Sequence, residues 1–96
     1  MPAVARQGDA GVTHCTPYSI AQGSADVFVD GLPAARVGDS STLHKKPGGR
    51  KCSPHVSTIA SGSGSVFVNG RPVARIGDPL GDCTTVAQGS SSVFAS

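Results

Sequence analysis

Apolar residues in this chain come as short clusters separated by Gly, Ser, Asp and Pro, and the clusters recur. Residues 20–39 read IAQGSADVFVDGLPAARVGD and residues 59–78 read IASGSGSVFVNGRPVARIGD, at a constant offset of 39 with no gap. In each copy a β-branched and aromatic run, Val-Phe-Val (27–29 and 66–68), leads into Asp30-Gly31 or Asn69-Gly70. Such dipeptides predict a two-residue hairpin turn, because both central residues must take positive φ. Pro33 and Pro72 then open a returning strand, where a missing N–H is tolerated. That strand alternates through Ala-Ala-Arg-Val or Val-Ala-Arg-Ile and ends at Gly-Asp. Gly23, Gly62 and Gly89 are read as a second turn before each Val-Phe. No window keeps an apolar period of 3.6 over ten residues, so little or no helix is expected.

A third copy, VAQGSSSVF, occupies 86–94, and its missing tail stands at the other end as Val4-Ala5-Arg6-Gln7-Gly8-Asp9. The chain therefore holds three units, circularly cut so that the third is shared between the termini. The expected fold is all-β: one domain over 1–96 with no fused extension, built of three hairpin units about a pseudo-threefold axis. The 19 residues between Asp39 and Ile59, against 10 between Asp9 and Ile20, contain KKPGGRK (45–51), read as an inserted, solvated loop.

Composition makes a staple necessary. With no Trp, one Tyr, three Phe and 13 Gly in 96 residues, few side chains can bury large areas. Small domains of this kind need disulfides, a metal or a partner. The three cysteines, Cys15, Cys52 and Cys83, cannot all pair within one chain. The first ten residues carry no apolar run, so neither a signal peptide nor a membrane anchor is read there. A cytoplasmic origin is expected, where Cys with His reads as metal before disulfide.

Counting from each Gly-Asp locates that metal. His14 lies five residues after Asp9, His44 five after Asp39, and Cys83 five after Asp78. Equivalent positions about a threefold axis are equidistant from it, so three such ligands converge, and tetrahedral zinc needs one more. The enlarged second unit offers Cys52 and His55. His55 is preferred because it stands four residues before the repeated strand resumes at Ile59, whereas Cys52 sits at the edge of the charged segment. Cys15, next to His14 on an extended chain, is expected to point away from it. The expected set is His14, His44, His55 and Cys83 around one structural zinc, with Cys52 the principal alternative to His55.

The repeated ARxGD strings, the three-unit layout and the His/His/His/Cys set resemble the PAAR-repeat family. Pro33-Ala34-Ala35-Arg36 is a near-literal instance of its motif, and Pro72-Val73-Ala74-Arg75 departs by one Val for Ala. Pro2-Ala3-Val4-Ala5-Arg6 has one residue more between Pro and Arg. The resemblance implies a conical tip that caps the trimeric VgrG spike of a type VI secretion system. It further implies zinc on His14, His44, His55 and Cys83, and one copy of this chain per spike homotrimer. Non-covalent effectors, transient contact with the target membrane, and translocation from the cytoplasm to the exterior or a target cell complete the expectation.

Rival functions are weaker. A metallohydrolase would need an open metal position and a base, but the chain has no Glu. Asp9, Asp39 and Asp78 read as turn residues, for which Asn would serve nearly as well. A zinc module binding nucleic acid or anionic membrane through 45–51 rests on four of the eight basic residues, with no aromatic beside them to stack bases. With a net charge of only +2, no specific nucleic-acid partner is expected.

Overall fold

Three alanines, one from each unit, close a ring of backbone hydrogen bonds. Ala5 N–H donates to the Ala74 carbonyl (2.8 Å), Ala74 N–H to Ala35 (2.9 Å) and Ala35 N–H to Ala5 (3.0 Å). This ring is the pseudo-threefold axis that the repeat register predicts. All three alanines are fully buried, as the close approach of three chains to one line requires.

The structure is a computed structural model of the 96-residue chain; it describes all residues except 14–16, 43, 49, 50, 82 and 83, and the side chains of 44–48 and 51–55 are also outside the description. Among the described residues the protein is all-β, without a helix and hence without one long and apolar enough to cross a membrane. It is elongated, 40 × 23 × 21 Å. Four two-stranded antiparallel sheets are present: β1 (Phe28–Val29) with β2 (Leu32–Pro33), β3 (His44–Gly48) with β4 (Lys51–His55), β5 (Phe67–Val68) with β6 (Arg71–Pro72), and β7 (Pro79–Leu80) with β8 (Thr84–Thr85).

The β1–β2 and β5–β6 turns take the conformation the sequence demands: φ is +54° and +79° at Asp30-Gly31, +55° and +77° at Asn69-Gly70. The third hairpin is closed by the two ends of the chain. Ala3 bridges Phe94 just as Pro33 faces Phe28 and Pro72 faces Phe67. Ala3 therefore takes the proline register, and the additional residue of the N-terminal copy is accommodated by moving Pro2 one position outward.

Two core layers follow. Val4, Val29, Ala34, Val68, Val73 and Ala95 form one, on the side of the hairpin turns. Ala5, Tyr18, Ile20, Ala35, Ile59, Ala74, Leu80 and Val86 form the other.

One expectation is corrected and another sharpened. The inserted segment is not a loop over its described residues: β3 and β4 pair Lys45 with Pro54, Lys46 with Ser53, Pro47 with Cys52 and Gly48 with Lys51, the longest ladder among the described residues. Two residues connect the strands, so the pair flanking the turn is hydrogen-bonded and the pair types alternate from there. Pro47 and Pro54 consequently fall at non-hydrogen-bonded positions, where no N–H is required. Gly62 does precede the expected turn, a bend at 64–65, but the glycine itself is required by close approach: a Cβ there would stand 2.5 Å from the Val73 carbonyl oxygen. Gly23 and Gly89 meet Ala34 and Val4 carbonyls in the same way.

Candidate functional site

The connections that leave the three repeated Asp residues are anchored alike. Each return residue, Ile20, Ile59 or Val86, bridges the residue two beyond the Asp of the next connection: Ser41, Leu80 or Gly11. Their carbonyl neighbours repeat the pattern, with Ala21 N–H donating to Ser40, Ala60 to Pro79 and Ala87 to Ala10. Every candidate ligand at the fifth position after Asp thus starts three residues beyond a threefold-equivalent anchor.

The connections also tie to one another: Val12 N–H donates to the Thr85 carbonyl, Thr84 Oγ1 to the Val12 carbonyl, and Thr42 N–H to the Ser19 carbonyl. The chain on either side of His14 therefore meets the chain next to Cys83 and the chain leading to His44.

His44 and His55 are direct cross-strand partners in β3–β4. Directly opposed residues share one face of an antiparallel ladder, with Cβ atoms about 4.5–5.5 Å apart. Cys52 pairs with Pro47, three positions from His55 along β4. His14, Cys15 and Cys83 lie outside the described residues, as do the side chains of His44, Cys52 and His55. Of the expected set, the described backbone covers only His44 and His55, which are paired across β3–β4.

Beneath these connections lies a feature that turn propensity did not foretell. Asp39 accepts the Arg36 backbone N–H (2.8 Å) and both Nε (3.0 Å) and Nη2 (3.0 Å) of the same arginine. Arg6–Asp9 and Arg75–Asp78 repeat this fork, and all three carboxylates are buried. Hydrogen bonding to Asp9 and Asp78 is the main reason the Arg6 and Arg75 pKa values lie above the ordinary guanidinium value. The left-handed Gly8, Gly38 and Gly77 (φ +91° to +95°) bring each Asp back onto its Arg. The signal was legible as R-x-G-D, an ion pair spanning a Gly turn.

At the end bearing the hairpin turns, a second ring links the units. Ser24, Ser63 and Ser90, each buried, accept backbone N–H groups two and three residues on. Asp30 receives Ser90 and Ser92 hydroxyls, Asn69 contacts Ser24 and Asp26, and Ser96 meets Ser63 and Ser65. The Ser90 and Ser92 hydroxyls, with a smaller contribution from Arg6, hold the Asp30 pKa below its ordinary value. A folded-state pKa below the unfolded one contributes stability that is present above pH ~4 and lost as pH falls through the folded value. The stability difference between wild type and Asp30→Asn is therefore expected at pH 6 and should vanish toward pH 2, measured by denaturant titration.

The same end displays an apolar face. Phe28, Phe67 and Phe94 are 55%, 56% and 48% exposed, flanked by the exposed Val27, Val66 and Val93. These Val-Phe pairs are repeat equivalents, set about the axis by the alanine ring. Three repeat-equivalent exposed aromatics in a chain so short of them are the candidate for an interaction surface.

No curated protein matches the chain. A family model described as PAAR motif matches residues 2–43 and 49–96.

Proposed function

Since the chain belongs to the PAAR-motif family, we propose that it is the zinc-stapled tip of a type VI secretion spike, seated as one copy on a VgrG-like homotrimer. The observation that carries this reading is the trio of exposed Val-Phe pairs around one pseudo-threefold axis. A single chain whose end repeats three times meets all three protomers of a trimer alike, and the exposed aromatics supply anchors of the kind that dominate interface energies. Strand edges at that end extend the partner's β-structure through main-chain hydrogen bonds.

Zinc, held by His14, His44, His55 and Cys83, would fix the opposite connections. Filled by four protein ligands, such a site is structural, with no open position for water activation. The role is mechanical and not enzymatic: each repeated Asp is engaged by an arginine fork and is not poised as a base.

Native mass spectrometry with a candidate spike trimer is expected to show one copy of this chain per three spike subunits; a 3:3 complex overturns the docking. Replacing Phe28, Phe67 and Phe94 together by Ser is expected to weaken the complex at least tenfold, on the order of 1.4 kcal/mol or more.

A further inference from the structure

Three grooves run between neighbouring units, each floored by the same pair of hydrogen bonds. Gln7 and Gly8 N–H groups donate to Pro33 and Ile20 carbonyls, Val37 and Gly38 to Pro72 and Ile59, Ile76 and Gly77 to Ala3 and Val86. What fills the grooves differs. In the second, Arg71 lies over Gly38: Nη1 donates to the Val37 carbonyl (3.2 Å), Nη2 stands 3.6 Å from Asp39 Oδ1, and a Cβ on Gly38 would meet Nη1 at 3.1 Å. In the first groove the repeat equivalent of Arg71 is Leu32, and a Cβ on Gly8 would meet nothing within 4 Å. A recess of about 450 Å³ is left there, lined by Gln7, Gly8, Ser19, Leu32, Pro33 and Thr42 among others.

Charge singles out the same groove. Arg6 is shared between Asp9 and Asp30, one cation for two carboxylates. In the second groove Arg36 and Arg71 share Asp39, and in the third Arg75 has Asp78 alone. Among the described residues, the first groove alone combines a vacant guanidinium position with one arginine shared between two carboxylates.

We propose that this recess is a binding site for a guanidinium group, presented as an arginine side chain by a bound protein. The internal repeat shows the pose: donation to the Gln7 carbonyl, approach to the Asp9 carboxylate and the aliphatic stem along Leu32 and Pro33. A planar fork reaches carbonyl and carboxylate together, which a lysine ammonium does not match. The recess adjoins the Phe28 hairpin through Leu32 and Pro33, but the pose of Arg71 and the exchange of Arg for Leu32 that argue for it depend on neither the zinc nor the spike docking.

The test is an NMR titration of the ¹⁵N-labelled full chain with N-acetyl-arginine amide, and with the lysine and norleucine analogues as controls. Saturable shifts are expected at the Gln7, Gly8 and Leu32 amides but not at Val37 and Gly38, with arginine at least fivefold tighter than lysine. Leu32→Arg, whose own side chain would fill the recess, should lose the response. Non-saturating shifts, equal affinity for lysine, or an undiminished response in Leu32→Arg would each overturn the proposal. Should that variant fail to fold, the titration of the unsubstituted chain decides by itself.

Discussion

Asp39→Asn is expected to lower the unfolding free energy by about 3 kcal/mol, a large share of the roughly 5–15 kcal/mol available to a domain. The carboxylate is buried and receives three bonds from Arg36, with Arg71 as a further neighbour. An asparagine amide keeps one acceptor but turns a donor toward guanidinium N–H groups, and it removes the counter-charge of a mostly buried arginine. Thermal unfolding should fall by on the order of 10–20 °C. Asp30→Asn is the comparison: Asn69 already fills that turn position in the second unit, so the loss at neutral pH should be much smaller than for Asp39→Asn and limited to the part that disappears toward pH 2. Equal, small effects at both sites would refute the fork as a stabilising device. The expectation from turn chemistry alone, that Asn replaces the repeated Asp without loss, is overturned by the burial of these carboxylates.

Removing the metal is expected to have the other large effect. Purified protein should contain one zinc per chain, and exhaustive chelation should lower its unfolding temperature by tens of degrees, since structural zinc contributes its binding free energy to folding. His44→Ala should lose zinc and stability in step, several kcal/mol in a domain this size. Cys52→Ser tests the alternative ligand. His55, not Cys52, is the direct cross-strand partner of His44, so zinc content is expected to remain at one. A metal-free protein that melts at the same temperature would remove the staple, and a Cys52→Ser protein without zinc would exchange His55 for Cys52.

Most of the architecture is legible in the sequence because it repeats. The offset of 39 between units, the Asp-Gly and Asn-Gly turns and the shared third unit each make a local demand that the structure meets with the expected φ and register. Identical local demands in three copies leave a threefold arrangement as the common solution, and the alanine ring realises it. The candidate ligands are legible for the same reason, as register counts from each Asp.

What the sequence did not settle depends on partners distant along the chain. KKPGGRK reads as a loop by composition, yet 44–48 and 51–55 pair as a hairpin, with Pro47 and Pro54 both falling where no ladder N–H is needed. Gly62 reads as a turn, but the Val73 carbonyl, eleven residues on, is what excludes a side chain there. The repeated Asp reads as a turn former, and only its burial beneath the connections turns R-x-G-D into a buried ion pair. The change from Arg71 to Leu32 reads as a neutral surface difference between repeats. Tertiary packing makes it the difference between a filled groove and an open one, because the groove walls come from separate units. Sequence periodicity specifies which positions are equivalent, and the surroundings of each position decide what that equivalence does.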